Sequence, residues 1–334
     1  MNIAFANKIE RESNSSSRKI ENILDTNKQI FKENYNIRPF KLHHTLCRSG
    51  LFEVPEIVKT ARSIIASGNA ADFLALDLKK VSISSKFTEA TQHDRPTELI
   101  ERLGEGGSWI RLSRTQNYNP DYARVLAMLI DEIGTYADRP FRQEVTWATL
   151  TVILSSPGIS TPFHIDHESN FLFQIQGEKD VCLFDPKDRE VLPEIELERF
   201  YASSYNTPRY RPELQSHGEI YRLTPGEAVH HPPVAPHWVK NGSDISVSLS
   251  ISFCMRALEQ RARVYQANFM LRQLRLKPRP PGFSPARDAL KAKLVSALEM
   301  PNPKTFQDIV YSPMMRLKSP MQFIRKVFRH RGVT

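Results

Sequence analysis

With 334 residues, 40% of them hydrophobic and 25% charged, the chain can bury a full core and reads as one large domain with helical extensions. Met1 to Ile30 is broken by Glu, Arg, Asn and Ser and has no long apolar run, so neither a signal peptide nor a membrane anchor is expected and a cytoplasmic location follows by default. The net charge of +9 is uneven, because 17 Lys and Arg against 4 Asp and Glu lie from Met255 onward, a local +13 that leaves −4 for the rest.

In chain order, residues 1–34 are polar, with a Ser-rich run at Ser13 to Ser17, and read as disorder or a frayed helix. Residues 35–143 read as a mixed α/β segment. Arg38 to Leu46 predicts a short edge strand with His43 and His44 at the surface, and Val54 to Ile65 an amphipathic helix with Pro55 in its first turn. Thr97 to Leu103 predicts a further helix, Ser108 to Leu112 a strand, and Tyr122 to Tyr136 a helix with Val125, Leu126, Leu129, Ile130 and Ile133 on one face. From Glu144 the apolar period changes to two. Val145 to Leu154, Asn170 to Ile175, Lys179 to Phe184 and Ile245 to Phe253 read as strands, separated by turns such as Ser156-Pro-Gly158 and Asn241-Gly242. This predicts a mainly β fold with flanking helices, a jelly-roll barrel over residues 144–254.

Residues 255–334 form a basic helical region in which Leu258, Ala262, Tyr265, Phe269 and Leu276 recur at helical spacing before Pro278, Pro280 and Pro281 break the pattern; Ala286 to Met300 is a second helix. An appended helix buries such a stripe on its own domain or on a second copy, and a homodimer through Arg256 to Leu276 is expected. The excess charge is also what solvated helix faces show, and no nucleic-acid-binding motif accompanies it, so nucleic acid is not an expected partner. Cys47, Cys182 and Cys254 are odd in number and far apart, which argues for free thiols over disulfides or a Cys-type zinc site.

The chemistry concentrates between Thr161 and Lys179. His164 and Asp166 are two apart, so on an extended chain they project from one face, as two ligands of one ion must. His237 is preferred as the third ligand because it follows Pro232-Pro233 and precedes the last long strand. His217, His230 and His231 compete with it in sequence and read as wall or surface residues, while His167 points to the opposite face. Two histidines and a carboxylate leave positions open on an ion, which suits non-haem Fe(II) that must bind a co-substrate and O2.

Thr161-Pro-x-His164-x-Asp166, then Asn170-Phe-x-x-Gln174-Ile-x-Gly177-x-Lys179 and Leu183-Phe184-x-Pro186, resembles the JmjC and cupin-like oxygenases, closest to the asparaginyl hydroxylase that inhibits hypoxia-inducible factor. Pro225-Gly226-Glu227, Pro232-Pro233 and His237-Trp238 are similar to that family's last metal-ligand segment, so the likeness spans Trp147 to Phe253. It implies a double-stranded β-helix (jelly-roll), with His164, Asp166 and His237 on Fe(II) and with Thr161, Asn170 and Lys179 holding 2-oxoglutarate. Lys179 would meet the distal carboxylate; its other reading is an ordinary solvated lysine. The implied reaction is hydroxylation of an amino-acid side chain, in a peptide or protein, with release of succinate and CO2. N-demethylation is the same chemistry on another substrate, and a metal-binding cupin-like module without turnover is the alternative. Ser250, Ser252 and Phe253 depart from the family, several members of which carry Asn near the end of this strand. Glu194 to Gly218, with Tyr201, Tyr205, Arg209, Tyr210 and Arg211, reads as a loop that forms a lid or a substrate wall or is purely structural.

Overall fold

The computed structural model describes residues 22–92, 100, 103–202, 208–300 and 311–316. Its main elements are β1 (Leu24–Asp25), α1 (Lys28–Asn34), β2 (Phe40–His44), α2 (Val54–Ala66), β3 (Phe73–Asp77), β4 (Thr91–Gln92), β5 (Ser108–Leu112), α3 (Pro120–Ala137), α4 (Phe141–Glu144), β6 (Val145–Ser155), β7 (Ser160–His164), β8 (Ser169–Gln176), β9 (Lys179–Phe184), α5 (Glu194–Tyr201), β10 (Gly218–Leu223), β11 (Glu227–His231), β12 (His237–Asn241), β13 (Ser246–Met255), α6 (Arg256–Gln273) and α7 (Pro285–Ser296). The expectations for Ser13 to Ser17 and Tyr205 lie outside the described residues, as does most of the helix expected at Thr97 to Leu103. No helix among the described residues is long and apolar enough to cross a membrane.

The strands form two antiparallel sheets, one ordered β1-β2-β11-β8-β13-β6-β5-β3-β4 and the other β10-β9-β12-β7. From β6 to β13 the chain passes repeatedly between the sheets, which is the winding of a double-stranded β-helix. One such crossing is the turn at Gly177, whose φ is +65°; a Cβ there would stand 2.4 Å from the Ile245 carbonyl oxygen, so only glycine fits. β3, β4 and β5 extend the larger sheet beyond β6.

The alternation in β13 shows which face is the lumen. Ser250 pairs with Leu172 of β8, and Leu172 packs with Val181, Leu183 and Leu223 of the smaller sheet and Val229 of the larger, so Ser248, Ser250 and Ser252 face inward. Phe253 on the other face meets Phe141 of α4 and Phe171 of β8 at ring distances of 5.0 and 6.2 Å. The larger sheet therefore turns aromatic side chains toward its helices and small polar ones into the barrel.

Residues 22–34, expected to be disordered or a frayed helix, are part of this packing and hold the helix α1. The Asn27 side-chain oxygen caps α1 by accepting from Gln29 N at 2.9 Å and Ile30 N at 3.1 Å. Glu132 of α3 accepts the Ile23 and Leu24 amides at 2.8 and 2.7 Å. Phe31 is fully buried and stacks on Phe171 at 5.8 Å. The polar composition hid these few apolar anchors. Phe31→Ala is expected to destabilise the protein by about 3–5 kcal/mol, read as a shift in denaturant midpoint. β2 is likewise not an edge strand, since β1 pairs on one side and β11 on the other. His44 is buried rather than at the surface, with Nε2 3.1 Å from Gln174 O and Nδ1 accepting from Leu46 N, and burial pushes it down to about 4.

The chain divides into two compact units, Met1–Val191 with Arg209–Met255, and Leu192–Pro208 with Arg256–Thr334. In the second, the segment expected to be a loop begins as α5. Tyr201 stacks on Tyr265 of α6 at 5.4 Å and its carbonyl accepts from Gln266, while Glu198 pairs with Arg272. Ala262 and Tyr265, expected to hold a second copy, are thus packed inside this unit. Tyr210 belongs to the first unit, where it lies against Phe163 and donates to Gln215.

Candidate metal centre

β7 and β12 are hydrogen-bonded neighbours that set His164 directly opposite His237, with ring centroids 4.1 Å apart. Asp166, two residues beyond β7, brings Oδ2 to 3.8 Å from His164 Nε2 and 3.7 Å from His237 Nε2. Each histidine is oriented by a carbonyl two residues earlier: Nδ1 of His164 lies 2.7 Å from Pro162 O, and Nδ1 of His237 3.0 Å from Ala235 O. Nδ1 therefore carries the proton, and the Nε2 lone pairs are left for a common point.

All three donor atoms lie within 4.8 Å of one another, and two imidazoles with one carboxylate fit a divalent first-row ion while leaving coordination positions open. His237 is buried, and burial together with the neighbouring His164 pushes it down to about 4, which keeps it in the neutral form a ligand needs. The centre opens on the Asp166 side, where Phe87 stands edge-on to His164 at 5.1 Å. Behind it, Val234 N donates to Asp166 O at 2.8 Å, from a backbone φ of +59° that is strained for a β-branched residue.

Thr161 and His164 are three apart, which in a regular strand would place them on opposite faces. A bulge removes the conflict. β12 pairs His237 with His164 and Val239 with Thr161, so Thr161 comes to the inner face. Lys179 reaches the same wall through β9, whose Lys179, Val181 and Leu183 pair with Asn241, Val239 and His237. It is 3% exposed and has no hydrogen-bond or ion-pair partner among the described residues, so it is not a solvated lysine; burial pushes it down to about 7. Asn170 of β8 faces the lumen, its Nδ2 donating to Ser250 and Ser252 Oγ at 2.5 and 2.7 Å while its buried Oδ1 has no partner. The two serines that depart from the family pattern are what hold Asn170.

A family model described as a cupin-like domain matches residues 84–257, a span that takes in both halves of this centre. The chain belongs to the cupin-like domain family. Among solved structures it is similar to the Escherichia coli ribosomal oxygenase YcfD in complex with cobalt and 2-oxoglutarate, at 16% identity and a TM-score of 0.45, over 84% of this chain and 69% of that one. It is also similar to the DMSP lyase DddQ from Ruegeria pomeroyi, at 18% identity and a TM-score of 0.21, over 32% and 38% of the two chains. A cupin superfamily protein from Desulfitobacterium hafniense matches at 11% identity and a TM-score of 0.21, over 32% and 68%. No curated protein sequence matches the chain.

Within this cupin-like domain the other histidines separate by face. His230 points outward, its ring 4.4 Å from Phe171 and its Nε2 accepting from Asn36 N at 3.0 Å. His231 points inward, 4.7 Å from the His237 ring, as a wall residue of the lumen rather than a surface one. His217 pairs with Asp188 at 2.6 Å, and His167 turns away to Cys254 Sγ at 3.2 Å. Two further residues were missed. Glu168 is raised to about 8 by burial and by Asp166, and the buried Nε of Arg111 on β5 has no partner. For His231 the usable signal was strand parity, since it lies two residues from Val229 on β11, whereas Glu168 lies in the bend between β7 and β8, where no parity applies.

Proposed function

We propose that the protein is an Fe(II)- and 2-oxoglutarate-dependent oxygenase that hydroxylates a C–H bond of an amino-acid side chain in a peptide or protein. One observation carries this reading: the convergent His164, Asp166 and His237 set shares its barrel wall with a buried lysine that has no counter-charge. An unpaired buried ammonium is unfavourable until an anion reaches it. A 2-oxo dicarboxylic acid brings both complements, a chelating end for the ion and a carboxylate for Lys179. Thr161 and Asn170 line the space between, and Leu172, Val181, Leu183 and Val229 keep part of it dry.

Bound Fe(II) would supply oxygen activation coupled to oxidative decarboxylation of the co-substrate to succinate and CO2. His164, Asp166 and His237 would hold the ion, and Lys179 would meet the acid's far end. The open side beside Asp166 and Phe87 admits the substrate. The likeness to the asparaginyl hydroxylase rests on Thr161, Asn170 and Lys179 standing in register with the ligands. Protein loaded with Fe(II) under anaerobic conditions should bind one equivalent of 2-oxoglutarate and, once oxygen is admitted, release succinate faster with a substrate peptide. Metal binding without any succinate release would leave a cupin-like binding module, and formaldehyde release would mark N-demethylation.

A further inference from the structure

We propose that His231 is a further co-substrate contact, a hydrogen-bond donor to the metal-chelating end of the 2-oxo acid. This rests on the oxygenase reading above. His231 ends β11 directly opposite Asn170 of β8. Val229, two residues before it, packs in the lumen against Leu172, Val181 and Leu183, so His231 shares that inner face. Its ring meets the His237 ring at 4.7 Å and 72°, beside the ligand set. It is 6% exposed, and neither ring nitrogen has a hydrogen-bond partner among the described residues; the Oδ1 of Asn170 across the ladder has none there either.

Buried polar atoms are ordinarily satisfied, and several orphans at one rung of a barrel mark where a polar ligand group belongs. A neutral imidazole carries one N–H, and no acceptor among the described residues is assigned to it. The acceptor it suits is a carboxylate or keto oxygen held at the ion.

Position along the barrel selects which end of the acid that is. His231 contacts His237, whose partner on β9 is Leu183, whereas Lys179 lies four residues further along that strand, roughly 13 Å away. His231 therefore serves the chelating end and Lys179 the distal one. It is not a fourth metal ligand, because its nitrogens fall outside the set that converges within 4.8 Å.

The test titrates Co(II)-loaded protein with 2-oxoglutarate and with oxalate, which has a chelating end and no distal carboxylate, following the cobalt absorption spectrum. His231→Leu should leave Co(II) affinity within about twofold and weaken both acids by roughly 10- to 100-fold, the loss expected for a hydrogen bond to a charged group. Lys179→Ala should weaken 2-oxoglutarate and leave oxalate unchanged. His231→Phe guards against a folding failure of the leucine variant, and His231→Gln, which keeps an N–H, should recover most of the affinity. Unchanged affinity for both acids in a folded apolar variant overturns the inference, and so does loss of Co(II) binding itself, which would make His231 a ligand. If the unmodified Co(II) protein binds neither acid, the oxygenase reading fails first and His231 falls with it.

Discussion

His164→Ala and Asp166→Ala should each abolish tight metal binding, and any succinate release with it, in proteins that remain folded. Asp166 Oδ2 stands 3.8 and 3.7 Å from the two imidazole nitrogens without bonding to them, and the hydrogen bond lost with His164 is the local one from Nδ1 to the Pro162 carbonyl, so neither truncation breaks a contact between distant elements. Asp166 is joined to the fold through its backbone, where its carbonyl oxygen accepts from Val234, and this survives truncation. The His164 and Asp166 side chains are 22% and 46% exposed, so the cavities left are small and wet. His237 differs, being buried beside His231, and its removal should lower stability as well. Equilibrium dialysis with Mn(II) and thermal melts separate the two effects. A His164→Ala, Asp166→Ala double variant that still holds one ion tightly would refute the centre.

Lys179→Met should stabilise the ligand-free protein while removing its response to 2-oxoglutarate. Burial lowers Lys179 from 10.5 to about 7, so between those values the unfolded chain holds a proton that the folded chain lacks. The destabilisation by the lysine is therefore complete below about pH 7, shrinks as pH rises, and vanishes above about 10.5. Replacing it with a methionine of similar length should gain on the order of 2 kcal/mol near pH 6 and clearly less near pH 9. In wild-type protein carrying metal, 2-oxoglutarate should raise the melting temperature and take up a proton at the lysine. The variant should show neither effect. A variant less stable than wild type near pH 6, or one still shifted by 2-oxoglutarate, would remove Lys179 from the co-substrate site.

What the sequence revealed, and what it hid, follows from the range of the forces involved. Strands such as β6, β9 and β13 were legible because apolar period two is local. His164 and Asp166 could be paired for the same reason, two residues being one repeat of an extended chain. Thr161 needed the bulge between it and His164, whose only local mark is Pro162 and whose effect depends on how β7 meets β12. Parity alone sets His230 and His231 on opposite faces, but which face is the lumen is decided by Leu172 and the second sheet. For residues 22–34 a frayed helix was one of two readings, and its anchoring in the core was hidden because composition averages over a segment, whereas Phe31 and the two amides held by Glu132 act singly. The helix α5 was missed because its buried Phe200 and Tyr201 pack against Tyr311 and Tyr265, which come far later in the chain.

The strand order also sets a timetable for assembly. β2 pairs with β11 through His43 and Glu227, residues 184 positions apart, and β7 pairs with β12 across the 73 positions from His164 to His237. During synthesis the N-terminal strands emerge first and must wait, one edge unpaired, until most of the chain has followed. Such non-local pairings close slowly, because the loop entropy is lost before any contact repays it. The Asp166 and His164 donors are thus made well before His237 and cannot converge until the barrel shuts. A partly synthesised or partly folded chain presents only a fragment of the ligand set, so capture of an ion by this centre is confined to molecules in which the barrel has closed.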